Sequence, residues 1–299
     1  MLTNSPDALA NMANHSTWLL LGAAVVGVIL GSFYTVVIAR LPTMLNREWE
    51  QQLDQLAGPA DTAPLVTDQS SHYNLLVPRS HCSHCRQTIA AKDNIPLFSF
   101  LLLCGRCRHC RQPIHWRYPL IEITSALLAV AVVWEFGASW QALFALALVG
   151  ISLILLAIDS EHLLLPDTLT LGLMWLGLLA NLAERFTPLT DAVVGAAVGY
   201  SALWLLFWLV KLATGRDAMG YGDFKYLAAI GAWFGVEGVL LGLLIASTLG
   251  SLVGISARLA GRLERFGQIP FGPFLAVAAV VLLFAQPTLS HWLWGGLGG

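Results

Sequence analysis

The chain has 299 residues, 57% of them hydrophobic and only 11% charged, whereas an ordinary soluble domain carries about 25% charged residues. Such a composition excludes a water-soluble enzyme and specifies a membrane protein. The net charge is -2, and no stretch has the broad basic character of a nucleic-acid binder, so nucleic acid is not an expected partner.

The first apolar run, residues 17–39, contains no charge and is long enough for the roughly 20 residues that cross a hydrocarbon core as helix. Arg40 follows it and no basic stretch precedes it, so it reads as a retained anchor and not a cleaved signal. Further apolar runs lie at 119–136, 137–158, 168–183, 189–210, 224–236, 237–257 and 270–292. The expectation is an all-α, polytopic membrane helix bundle of about eight transmembrane helices in contact with lipid. From Tyr226 to Ala257 the only charge is Glu237, so that stretch reads either as two short helices joined near Gly235 to Gly238 or as one long tilted element.

With the N-terminus outside, residues 40–118, 159–167, 211–223 and 258–269 face inward. Every lysine and arginine except Arg185 lies on or beside those segments, which orients the chain by the positive-inside rule. The organisation this gives is residues 1–41 as a first transmembrane helix, 42–118 as a cytoplasmic insert, and 119–299 as a membrane core.

The insert opens with EWEQQLDQLAGPADTAPLVTDQSSHYN, polar and without a sustained period, read as a short helix followed by a loop. Its second part holds all five cysteines, with Cys82-x2-Cys85 and Cys107-x2-Cys110 spaced like paired zinc knuckles. Tetrahedral zinc takes four soft ligands, and each short loop supplies two thiolates to one ion. Disulfides are disfavoured on the reducing inner side. Cys104 offers a second pairing with Cys107; Cys107 with Cys110 is favoured because His109, like His84 in the first knuckle, precedes the second cysteine. His81, His84, His109 and His115 offer substitutes, but with four thiolates available they are read as solvated neighbours.

Two aspartates end the reading. Asp159 closes the apolar run SWQALFALALVGISLILLAID, and Asp223 sits in the turn-like GYGDFK before another. A carboxylate beside a bilayer without an obvious basic partner is a functional candidate by default. Glu161 and Asp167 share the segment AIDSEHLLLPD, and the plain alternatives are a solvated acidic loop around Asp159 and a helix cap at Asp223. Two carboxylates brought to about 3 Å share one proton and titrate as a unit, so one activates water while the other protonates a carbonyl under attack. No G-x-S-x-G motif is present. A proton-coupled transporter is the competing class, but it calls for repeated halves, and no such repeat is seen.

These residues resemble those of the bacterial type IV prepilin leader peptidases. The resemblance is carried by GSFYTVVIARLP at 31–42, the two C-x2-C pairs, DNIPLFSFLLLCGRC at 93–107, RYPLIEI at 117–123, D-x7-D at Asp159 and Asp167, and GYGDFK at 220–225. It implies an aspartic endopeptidase in the bacterial inner membrane, its active site facing the cytoplasm, with Asp159 and Asp223 as the catalytic pair. The implied substrates are prepilins and the pseudopilins of secretion systems, cut after a glycine at the start of their hydrophobic helix. Methylation of the newly exposed N-terminus with S-adenosylmethionine as donor is implied by the same resemblance.

Overall fold

The computed structural model describes residues 17–57, 73–82, 84–90, 93, 95–215, 219–261 and 269–294. Its elements are helices: α1 (Thr17–Ala57), α2 (Phe98–Leu102), α3 (Arg117–Phe136), α4 (Trp140–His162), α5 (Asp167–Asn181), α6 (Leu189–Thr214), α7 (Tyr221–Leu259) and α8 (Gly272–Trp294). Among the described residues, extended pairing is limited to two isolated bridges, His81 with Thr88 and Arg106 with Pro113.

Among the described residues, five helices, α1, α3, α4, α6 and α7, are long and apolar enough to cross a membrane. Large apolar side chains such as Val25 and Ile29 on α1, Trp204 on α6 and Ile255 on α7 stand exposed, the arrangement expected where lipid and not water is the solvent. The apolar run expected at 168–183 is α5, a helix of 15 residues and so about 22 Å long.

The chain divides into two compact units, one of residues 22–127 and one of residues 1–21 with 128–299. In the first, α1 continues unbroken for 41 residues to Ala57. The short polar helix expected after the first membrane run is thus the extension of the membrane helix itself, while residues 58–72 of the expected loop lie outside the described residues. The Arg40 guanidinium, 8% exposed, donates to the carbonyls of Asn74 and Leu75 at 2.9 and 3.2 Å and of Pro78 at 2.6 Å. It thereby fastens the chain returning from that loop to α1.

In the second unit the largest feature is α7, whose 39 residues are interrupted at Gly235, with φ 72° and ψ -170°. Only glycine adopts this conformation readily, so the expected junction near Gly235 to Gly238 is realised as a break inside one long element. A helix break releases carbonyls that lipid cannot satisfy. Asn181, fully buried, donates from Nδ2 to the carbonyls of Ala232 and Trp233 at 2.9 and 3.1 Å. Gln286 Nε2 donates to that of Phe234 at 3.2 Å. The Asn181 Oδ1 atom in turn accepts from the amides of Phe186 and Thr187.

The segment of α7 before the break is buried almost throughout, from Tyr226 to Gly235. It packs on α6 where Gly195 faces Gly231; a Cβ on Gly231 would stand 2.1 Å from the Gly195 carbonyl oxygen. Backbones approach this closely in membrane interiors through small residues.

Candidate active site and metal centre

Asp159 and Asp223 both belong to the second unit. Helix α4 starts at Ser139, whose hydroxyl accepts from the Ala142 amide at 3.1 Å, and ends on Leu163 in the left-handed conformation. Its last turn carries Asp159, 5% exposed. Helix α7 begins after Gly220 and carries Asp223, 7% exposed, in its first turn. The two charged ends come from segments far apart in sequence, and the Asp159 carboxylate is close enough to act electrostatically on Asp223.

Two backbone approaches hold these side chains. A Cβ on Gly272 would stand 2.6 Å from Asp159 Oδ2, and one on Gly220 3.8 Å from Asp223 Oδ2. Leu165 lies between: a Cβ on Gly222 would meet its Cβ at 2.6 Å, and one on Gly272 its Cδ2 at 3.0 Å. Among the described residues, Asp159 Oδ2 and Asp223 Oδ1 are buried without a hydrogen-bond partner. Unpaired buried carboxylate atoms are costly, which makes these two aspartates candidates for a functional site.

The other two acidic candidates differ. Asp167 accepts from Lys225 Nζ with both oxygens at 2.6 Å and its side chain is 59% exposed. Glu161 is exposed beside His162 at 4.0 Å. The sequence reading missed Gly272 and Leu165 altogether.

In the first unit the thiols of Cys82, Cys85, Cys107 and Cys110 lie within 4.8 Å of one another. The Cys82 and Cys110 sulfurs are 3.8 Å apart, which is the edge of a tetrahedron with Zn–S bonds of about 2.3 Å. The two loops share one backbone pattern. The amides of Cys82 and Cys107 donate to the carbonyls of Gln87 and Gln112, and those of Arg86 and Arg111 donate back to Cys82 and Cys107. Arg86 and Arg111 both have positive φ, at 56° and 57°. The cluster that could hold a metal takes in Cys107 and Cys110; Cys104 is exposed and outside it, as are the four histidines.

The backbone amides of Cys110 and His109 draw the Cys107 thiol down to about 6, favouring the thiolate that binds metal. Cys110 is pushed up to about 11, the Gln112 amide opposing a rise that burial and the three neighbouring thiols produce. A cation placed among four sulfurs removes that conflict, because every ligand is then deprotonated. Arg108, between Cys107 and Cys110, grips Asp93 with two bonds of 2.7 and 2.5 Å.

A membrane helix bundle with two buried aspartates at helix ends, joined to a four-thiol metal-binding insert, defines a class of intramembrane enzyme. Residues 25–136 match the bacterial peptidase A24 N-terminal domain, and residues 146–255 match the type IV leader peptidase family. The chain is 45% identical to a prepilin leader peptidase/N-methyltransferase of Aeromonas hydrophila over 95% of its length and 97% of the relative's. Proteins of the same name from Pectobacterium carotovorum subsp. carotovorum and Pseudomonas aeruginosa are 47% and 42% identical, over 88% and 91% of the chain and 92% of each relative. No solved structure matches. The chain belongs to the type IV leader peptidase family.

Proposed function

We propose that this chain is a bifunctional enzyme of the bacterial inner membrane that removes the leader peptide from prepilins and pseudopilins and methylates the new N-terminus. Asp159 and Asp223 are the catalytic pair. The observation that carries this reading is that these two are the buried carboxylates of the second unit, set at helix ends with Leu165 between their supporting glycines. The distribution of lysine and arginine puts those helix ends on the cytoplasmic face, where a basic leader lies and the membrane bundle, residues 119–299, meets its substrate in lipid.

Each carboxylate has a defined role. One, ionised, takes a proton from the attacking water; the other, protonated, gives its proton to the carbonyl oxygen of the scissile bond. Collapse of the tetrahedral diol breaks the C–N bond, and the amine leaves with the proton that came from water. The close backbone approach of Gly272 to Asp159 fixes where that carboxylate stands. Asp167 serves as the charge partner of Lys225 and takes no part in the proton transfers.

Zinc held by Cys82, Cys85, Cys107 and Cys110 is structural: four thiolates leave no open position for a substrate. It closes the insert, residues 42–118, into a folded unit. S-adenosylmethionine, when bound, supplies an electrophilic methyl group. The test is purified protein incubated with a pilin precursor: wild type yields a shortened, methylated product by mass, and Asp159→Asn or Asp223→Asn leaves the precursor whole. Normal processing by either variant would defeat the assignment.

A further inference from the structure

Among the described residues three carboxylates are buried: Asp159, Asp223 and Glu122. Glu122 lies in the first unit, on α3, five residues past Arg117 and so about 7 Å from that helix's start. Its Oε2 accepts the Leu97 amide at 2.8 Å. A Cβ on Gly31 would stand 2.7 Å from the Glu122 Cα, so α1 presses directly on this point. No lysine or arginine pairs with Glu122 among the described residues.

One amide donor is satisfied equally well by a glutamine, without the cost of a potential charge in a membrane segment. A glutamate standing where a glutamine would serve points to a cation that arrives. The donor set, a single carboxylate, is too poor for a metal ion and suits a singly charged ammonium. Building on the proposed function, the second reaction has a need of this kind. The new N-terminus is an α-amine that is largely protonated at neutral pH, and a protonated nitrogen has no lone pair to methylate. Glu122 also lies within the N-terminal-domain match, outside the leader-peptidase match.

We propose that Glu122 binds the α-ammonium of the processed substrate and takes its proton, making it a catalytic residue of the methyl transfer. One ammonium proton passes to the Glu122 carboxylate, and the freed lone pair takes the methyl of a sulfonium donor, whose carbon–sulfur electron pair stays on sulfur. Glu122 then returns its proton to the cytosol.

The probes are two peptides carrying a mature apolar N-terminal segment, one with a free α-amine and one N-acetylated, measured by equilibrium binding to the full-length protein in detergent. Wild type prefers the free amine about tenfold or more, and Glu122→Gln loses that preference while keeping precursor cleavage near the wild-type rate. Methylation by Glu122→Gln falls by about 100-fold or more, and Glu122→Asp restores part of it. Retained preference or retained methylation in Glu122→Gln overturns the proposal. So does equal loss of cleavage and binding with a lowered thermal transition, which would make Glu122 a structural clamp on Leu97. Failure of wild type to cut any precursor strikes the proposed function instead, and the amine preference still reads on Glu122 by itself.

Discussion

Lys225 holds both carboxylate oxygens of Asp167 at 2.6 Å, tying the start of α5 to the start of α7 two residues beyond Asp223. The pair neutralises the acidic residue that sequence spacing made the rival of Asp159. Because its members are 24% and 59% exposed, its worth to stability is small, about 0–1 kcal/mol. Asp167→Asn is therefore expected to cut precursor at a rate within a few-fold of wild type. Asp159→Asn is expected to lose about 10³-fold or more. Initial cleavage rates measured side by side decide it, and equal losses would return Asp167 to the active site.

Gly272 gives a sharper test of geometry. An alanine there places a methyl 2.6 Å from Asp159 Oδ2 and 3.0 Å from Leu165 Cδ2, closer than any real contact, so the carboxylate must turn away. Gly272→Ala should lose most cleavage while its thermal transition stays near wild type. Gly172→Ala, which meets nothing within 4 Å, is the matched control. Full activity in Gly272→Ala would show that the Asp159 position does not matter to the reaction.

What the sequence made legible was whatever is written locally. The paired knuckles were visible as C-x2-C, and the fuller repeat C-x-H-C-R-Q-x-I at Cys82 and again at Cys107 would have settled the role of Cys104, since nothing like it begins there. The stretch Gly235 to Gly238 stood out as a place where two helices could join, with one long tilted element as the alternative. The partners of that break did not. Asn181 and Gln286 meet α7 from 50 or more residues away, and only tertiary packing brings them there. Asn181 had one signal, a lone amide in an otherwise apolar run, which a rule for buried polar groups picks up.

Metal content separates the cysteines. Cys82→Ser removes a ligand from the four-thiol cluster and is expected to bring zinc well below one per chain by elemental analysis, with loss of protection in the insert by hydrogen exchange. Cys104→Ser, at an exposed residue outside the cluster, should keep one zinc. Reversal of this order would mean that the second knuckle begins at Cys104.

The break in α7 carries the final prediction. Asn181 satisfies four backbone groups at once, two buried carbonyls of α7 and the half-buried amides of Phe186 and Thr187. Each buried group left unmade costs about 1–3 kcal/mol, and relaxation around the site recovers part of the sum, so Asn181→Ala should destabilise by about 2–5 kcal/mol. Gln286→Ala removes a single bond of 3.2 Å to the Phe234 carbonyl and should cost about 1 kcal/mol. Thermal unfolding in detergent gives the order directly. Both variants should retain zinc, because the thiol cluster belongs to the other unit. An Asn181→Ala protein as stable as wild type would mean that the freed carbonyls find other partners and that the Gly235 break needs no dedicated cap.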